Sequence, residues 1–506
     1  MSATKARAVM VLGTTSGAGK SWLTTALCRW YARQGLKVAP YKAQNMSNNA
    51  RVVPDLGGEP GEIGSAQYFQ SLAARTVPDV RMNPVLLKPE HDCGSQVVVW
   101  GQVRDDLRAV PWRLRSEALW PHARRALDEL MVENDVVVIE GAGSPAEINL
   151  HASDYVNMRT ALHAQAACLL VTDIDRGGAF AHLYGTHQLL PEAERALIRG
   201  FVLNRFRGDA SLLSPGPEQL QALTGVPTLG VLPMWRGHGL PEEDGVFDDA
   251  PTGAAVAASL TRIAVIAYPR LSNLDEFQPL RNTPGVRLNW ARHPRELAGV
   301  DWVILPGSKH TRSDLAWLRS TGLDEAIAAH ARAGGAVLGV CGGLQMLGTH
   351  IEDLAGVEGG DAGACEGLGL LPLRTVFEAG KRLSVTRASF ANVRPVAAAH
   401  GDTSPWASLT GVAVQGYEIH HGQTLEGSAA QAVLFDEAGR ALGWRQGTVL
   451  GLYLHGLFED TAAMSALFGQ AAPDLDATFD GLADFIDQHL GASALMDLLR
   501  TAPNSD

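Results

Sequence analysis

Short apolar runs alternate with longer stretches in which hydrophobic positions recur at helical spacing. That alternation is the pattern of strands joined by helices, and it predicts an α/β protein. In the first half the runs fall at 8–12, 37–40, 97–100, 135–139, 168–172, 200–204 and 227–232. Segments such as VVVI at 136–139 carry no polar alternation, as expected of strands covered on both faces of a parallel sheet. A second set falls at 262–267, 302–305, 336–340 and 449–454. Between the two sets the chain turns acidic, then small and polar, with no helical stripe, which marks 246–260 as a linker. Phe479, Leu482, Phe485, Ile486 and Leu490 then trace one face of a helix. The expected layout is a P-loop parallel-sheet domain over 1–245, a second α/β domain over 261–490, and a helix end and tail over 491–506.

A length of 506 residues is enough to bury sizeable cores without disulfides or a structural metal. The charge balance, 42 basic against 54 acidic residues, gives −12, which argues against general nucleic-acid binding. Five cysteines (Cys28, Cys93, Cys168, Cys341, Cys365) form no CxxC pair, so neither a zinc ribbon nor a disulfide framework is indicated. The first apolar run leads straight into a glycine-rich loop and reads as a strand, not a signal peptide. No apolar run reaches the ~18 residues of a membrane span. A cytoplasmic protein that engages neither nucleic acid nor membrane is expected.

The first glycine-rich turn, VLGTTSGAGKS at 11–21, leads from a strand into a helix. Glycines let backbone N–H groups turn inward around phosphate oxygens, and the helix N-terminus adds partial positive charge. Gly13, Thr15, Gly17 and Gly19 form the expected cradle for ATP, Lys20 reaches its outer phosphates, and the Ser21 hydroxyl ligates Mg2+. A magnesium site also needs a carboxylate on a neighbouring strand. Glu140, closing the run DVVVIE, is the first choice, with Asp173 and Asp175 as further candidates. Lys42, at the end of the second strand, is a candidate for the phosphoryl group in transfer, against the plainer reading of a solvated lysine. Asn204, closing FVLN, is a candidate for an adenine edge.

The second turn, GVCGGLQ at 339–345, puts Cys341 between an apolar strand and a helical segment. A sharp strand–turn–helix elbow needs small neighbours, which Gly339, Gly342 and Gly343 supply, and it exposes the sulfur where a helix start favours thiolate. The N–H groups that follow, beginning with Gly342, are candidate oxyanion donors, and Gly307 in LPGSK is a second. Cys28 and Cys168 lie in apolar stretches and read as inert core. A thiolate nucleophile wants an imidazole. Among 16 histidines, His455 stands out because it sits where the strand VLGLYL meets Gly456. Glu418, His420 and His421 form a second polar island, readable either as a pocket wall or as a partly exposed strand.

CGGLQ after an apolar strand, with YLHG further on, resembles the class I, triad-type glutamine amidotransferases, which have a flavodoxin-like fold. That resemblance implies that Cys341 is the nucleophile, His455 the base, and Gln345 and Gly307 pocket and oxyanion groups. Many members carry an acid two residues after the histidine, where this chain has Leu457; Glu459 and Asp460 lie nearby. The cobalamin-biosynthetic branch shares this departure, with HG in place of HPE. The first half, by its loop and EGAG at 140–143, resembles dethiobiotin synthetase. KAQNMSNNA at 42–50, MNPVLLKP at 82–89, EGAGSPAEINL at 140–150, DIDRGG at 173–178, GFVLNRFRGD at 200–209 and GYEIH at 416–420 together resemble the cobyric acid synthases. The family implies ATP- and glutamine-dependent amidation of corrinoid carboxylates, at positions b, d, e and g of adenosylcobyrinic acid a,c-diamide. It implies ATP with Mg2+ as co-substrate, the corrinoid as substrate, and no tightly bound cofactor. The alternatives are a cobyrinic acid a,c-diamide synthase and a MinD-like nucleotide switch carrying an inactive amidotransferase domain.

Overall fold

The computed structural model describes residues 6–54, 57–91, 94–108, 110–241, 260–358, 362–391, 404–426, 431–470 and 474–500. The expected linker, apart from Leu260, lies outside them, as do Cys93 and 501–506. We number the strands of the two large sheets and the four helices that bear on function.

In the first domain, β1 (Arg7–Gly13) leads into α1 (Lys20–Arg33), followed by β2 (Val38–Tyr41), β3 (Val136–Glu140), β4 (Ala167–Asp173), β5 (Ile198–Phe206) and β6 (Thr228–Pro233). They form one parallel sheet in the order β6-β5-β4-β1-β3-β2. β3 and β4 are buried along their whole length, which is why they read as unbroken apolar runs. Chain order reverses at β1, and ligands of such sheets gather beyond the strand ends at the reversal. The register pairs Val11 with Glu140 and Gly13 with Val171, so Glu140 ends beside the start of the glycine loop.

The run at 97–100 departs from expectation. Instead of a further parallel strand it belongs to Gly94–Val99, which pairs antiparallel with Val85–His91 in a separate four-stranded sheet. Trp100 and Gly101, both at positive φ, turn the chain straight back into Gln102–Val103. A two-residue turn of that hand permits only an antiparallel partner. A short hairpin, Ala50–Pro54 with Pro60–Gly64, lies nearby; it is called the 50–64 hairpin below.

The second domain contributes β7 (Thr261–Ile266), β8 (Val286–Ala291), β9 (Trp302–Leu305), β10 (Ala336–Val340), α2 (Gly342–Leu347), β11 (His350–Asp353), β12 (Gly363–Glu366), β13 (Leu373–Phe390), β14 (Ala413–Glu426), β15 (Gln431–Asp436), β16 (Ala441–Gln446) and β17 (Val449–Leu452). Its sheet runs β8-β7-β9-β10-β17-β16-β15-β13-β11-β12, with β14 on β13. The first five strands are parallel in flavodoxin-like order, with β10 delivering Cys341. The long β13–β14 pair alternates buried and exposed positions and therefore offers no continuous apolar run.

Two C-terminal helices, α3 (Leu475–Leu490) and α4 (Ala492–Arg500), complete the molecule. Sequence order assigns α3 to the second domain, whereas its stripe of Phe479, Leu482, Ile486 and Leu490 packs in one core with Val9, Val11, Leu23, Leu27 and Val202 of the first. Charge explains the partner. The acidic side of α3 presents Asp476, Asp480 and Asp484 to Arg29 and Arg33 of α1, with Arg29 Nε 3.1 Å from Asp480 and Arg33 Nη1 2.6 Å from Asp484. Trp30 Nε1 donates to Asp487 at 2.9 Å, and the Tyr31 hydroxyl to the Leu495 carbonyl at 2.8 Å. Among the described residues no helix is long and apolar enough to cross a membrane.

Ile486→Ala empties a fully buried site in this seam and is expected to cost about 2–5 kcal/mol in urea unfolding. Asp484→Ala removes a solvent-exposed pair and is expected to cost under about 1 kcal/mol.

Candidate active sites

The first centre forms where β1 opens into α1. Lys20 Nζ donates to the carbonyls of Thr15 and Gly143, both at 3.1 Å, so its ammonium is drawn back over the loop that carries Gly13, Thr15 and Gly17. Gly19 has φ +99, and a Cβ there would fall 2.1 Å from Asn204 Nδ2. Only glycine allows that approach. Asn204 itself donates to the Ala18 carbonyl at 2.9 Å and accepts from Arg205 N at 2.9 Å. It thereby ties the loop to the end of β5.

Glu140 is buried, and three elements converge on it. Its Oε1 accepts from Ser21 Oγ and Lys42 Nζ, each at 2.8 Å, and its Oε2 from Gln70 Nε2 at 2.5 Å. Burial on its own lifts the carboxyl, but the Lys42 ammonium and the three hydrogen bonds hold it below the usual carboxylate range. Lys42 is thus a buried partner of Glu140, not a solvated lysine. Asp173 and Asp175 turn to arginines, Asp173 to Arg205 at 3.1 Å and Asp175 to Arg207. Among the described residues no cluster of three or more His, Cys, Asp or Glu forms a dedicated metal cage. One hydroxyl and one carboxylate, both hard oxygen donors, fit Mg2+, which takes its other ligands from phosphate and water.

The second centre forms at the elbow between β10 and α2. Cys341 has φ 51 and ψ −108, a strained backbone held in place by its N–H to the Leu452 carbonyl at 2.7 Å. A Cβ on Gly343 would fall 1.9 Å from the Leu305 carbonyl oxygen, so glycine is what lets α2 start hard against β9. Ideal Cβ positions on Gly342 and Gly307 fall 2.8 Å from Ser308 N and 3.2 Å from His455 Cε1, which puts both candidate oxyanion residues beside the elbow. Gln345 is buried, and its Oε1 accepts from Thr311 Oγ1 at 3.0 Å. Cys28 and Cys168 lie in packed core, where burial pushes both thiols up, Cys168 to about 12.

His455 is fully enclosed. Its Nδ1 donates to Glu276 Oε1 at 3.0 Å, which leaves Nε2 for the sulfur of Cys341, whose charge acts on the ring; the thiol itself donates to the Ile419 carbonyl at 3.5 Å. Glu276 Oε2 accepts from the Gly456 N–H at 3.2 Å, and Tyr417 stacks on the imidazole at 5.1 Å and 15°. Burial alone pushes the imidazole down, but Glu276 and the Cys341 sulfur more than offset it and raise it to about 10. Glu276 belongs to no motif of the sequence. Of the two acids that follow His455, Glu459 pairs with Arg51 and Asp460 caps the helix Thr461–Phe468. The available signal was LDEF at 274–277, adjacent acids between apolar residues in a segment that shows no helical or strand period. His420 joins a separate network, with Nε2 3.3 Å from Glu418, which Arg440 grips at 2.9 and 2.6 Å.

Residues 9–237 match the CobQ/CobB/MinD/ParA nucleotide binding domain, and 262–463 match the CobB/CobQ-like glutamine amidotransferase domain. The chain is 69% identical to a cobyric acid synthase of Leptothrix cholodnii, over 98% of this chain and 97% of that one. It is 68% identical to cobyric acid synthases of Methylibium petroleiphilum (99% and 98%) and Variovorax paradoxus (97% and 99%).

The buried His455–Glu276 pair is expected to set the alkaline limit of glutamine hydrolysis. Glu276→Gln removes a cause that raises the imidazole, so His455 loses its proton at lower pH. The alkaline limb of glutamine hydrolysis is expected to move down from about 10, with turnover reduced about 10²-fold. An alkaline limb that stays in place would show that Glu276 does not act on His455.

Proposed function

The chain belongs to the cobyric acid synthase family, a family of glutamine amidotransferase-type ligases, and from that premise we propose how its two centres divide the reaction. The first centre uses ATP to convert a peripheral carboxylate of a corrinoid into an acyl phosphate. The second hydrolyses glutamine and supplies the ammonia that displaces the phosphate. The carboxylates are those at b, d, e and g of adenosylcobyrinic acid a,c-diamide, giving adenosylcobyric acid.

One observation carries this reading: a buried His455, hydrogen-bonded to Glu276 and under the influence of the Cys341 sulfur, stands on the same chain as an intact phosphate loop. A nucleotide switch with an inactive amidotransferase domain has no use for that arrangement.

A carboxylate is a poor electrophile because its charge and resonance repel nitrogen nucleophiles, and phosphorylation removes both obstacles. Lys20 holds positive charge over the loop where the transferred phosphoryl group develops negative charge. Mg2+, when bound with the nucleotide by Ser21 and Glu140, neutralises further charge there. Lys42, buried against Glu140, keeps a second ammonium at the same place.

At the second centre His455 holds the proton that Cys341 gives up. The sulfur attacks the side-chain amide of glutamine, and the N–H groups at Gly342 and Gly307 receive the oxyanion. His455 then returns the proton to the departing nitrogen, which leaves as ammonia, and water releases the glutamyl thioester. Near neutral pH free ammonia is mostly ammonium, so release close to the acyl phosphate preserves the nucleophile.

Cys341→Ala is expected to abolish glutamine-dependent amidation while high ammonium still supports the reaction. Lys20→Ala is expected to slow amidation from both nitrogen sources by about 10²-fold or more. Comparison of both variants on corrinoid product formation tests the division of labour; loss of ammonium-dependent amidation in folded Cys341→Ala would refute it.

A further inference from the structure

The acid that orients His455 lies in a segment gripped by the other domain. Asn273 to Glu276 meets the first domain around the 50–64 hairpin. The Ala50 N–H donates to Asn273 Oδ1 at 3.2 Å, and the Leu274 N–H to Asn49 Oδ1 at 3.1 Å. Ser65 Oγ donates to Asp275 Oδ1 at 3.3 Å. Arg51, on the first strand of the hairpin, is buried between two carboxylates of the second domain. Its Nε donates to Asp275 Oδ2 at 3.0 Å and its Nη2 contacts the same oxygen, while Nη1 and Nη2 reach Glu459 at 2.8 and 2.6 Å. The rings of Tyr68, Phe69 and Tyr417 pack against the guanidinium at 5.3, 5.0 and 4.9 Å.

Arg51 and His455 therefore share their supports. Asp275, held by Arg51, precedes Glu276, held by His455. Tyr417 packs on both cations, and its hydroxyl accepts from Asn273 Nδ2 at 3.0 Å. Asn273 sits at φ +55, in a left-handed turn that asparagine accommodates readily. The charges have the same logic: Asp275, Glu276 and Glu459 crowd together, and Arg51 and His455 are the cations that face them.

We propose that Arg51 is a positioning residue of the glutamine-hydrolysing centre, contributed across the domain boundary: by holding Asp275 it keeps Glu276 where it orients His455, so glutamine is cleaved at full rate only while the 50–64 hairpin is seated. This rests on the reading of Cys341 and His455 as the amidase pair. It makes the state of the ATP domain a regulator of ammonia release, with no contact between Arg51 and glutamine.

A cavity of about 460 Å3 lined by Arg51, Tyr68, Tyr417, Gly456 and Glu459 supplies the means of testing it, because a small cation can enter where the side chain is cut away. Arg51→Ala is expected to lower kcat for glutamine hydrolysis about 10²-fold, with KM for glutamine and ammonium-dependent amidation unchanged. Guanidinium chloride at a non-denaturing concentration restores kcat, and sodium chloride at equal ionic strength does not. Combining Arg51→Ala with Glu276→Gln is expected to be no slower than Glu276→Gln alone, because both act through one carboxylate. Arg51→Lys keeps the charge without the fork and is expected to fall between, which serves if the alanine variant does not fold. Wild-type kcat in either variant, additive losses, or equal loss of ammonium-dependent amidation overturns the proposal. Cys341→Ser in parallel separates the two ideas: undiminished glutamine hydrolysis there defeats the amidase reading itself.

Discussion

A buried sulfur attacks an amide as thiolate, and a thiolate out of water needs a cation within reach. In the proposed reaction the imidazolium of His455 is that cation. It is enclosed more completely than the sulfur, so it too needs a counter-charge, and Glu276 provides it. The constraint propagates outward. Glu276 is fixed by the Gly456 N–H and by the turn beginning at Asn273, and that turn is held by Asn49, Arg51 and Ser65 from the other domain. A requirement that starts at one sulfur atom thus reaches the hairpin of the nucleotide-binding domain.

The glycine after His455 acquires a physical reason from this geometry. Where amidotransferases have proline at that place there is no backbone N–H to offer. Here Gly456, at φ +87, donates its N–H to the second oxygen of Glu276. The carboxylate comes from a distant segment and not from the loop after the histidine, and the residue at 457 is free to be a buried leucine. With HG in place of HPE, the carboxylate on His455 is that of Glu276.

The elements that announced themselves in the sequence were those whose burial leaves a one-dimensional trace. The unbroken strands β1, β3, β4 and β10, both glycine elbows and the stripe of α3 are of this kind. The β13–β14 pair is covered on one side only, so its apolar residues alternate and escape a search for continuous runs. The stripe of α3 showed that a face is buried but not what covers it, which depends on arginines more than 400 positions away. Glu276 left no trace because a single buried carboxylate follows no period. Asn204 was visible as a strand-end polar residue, whereas its hold on the Ala18 carbonyl, 186 positions away, was not.

The return of α3 to α1 makes the amidase fold an insertion within the nucleotide-binding fold, entered and left through that same domain. Synthesis runs from the N-terminus, and domains generally fold as they emerge. The phosphate-loop helix therefore stays uncovered on one side until residues 475–500 have left the ribosome, after every strand of the amidase sheet has already been made. Ammonia-releasing machinery and its ATP-using counterpart reach completion in the reverse of their order along the gene.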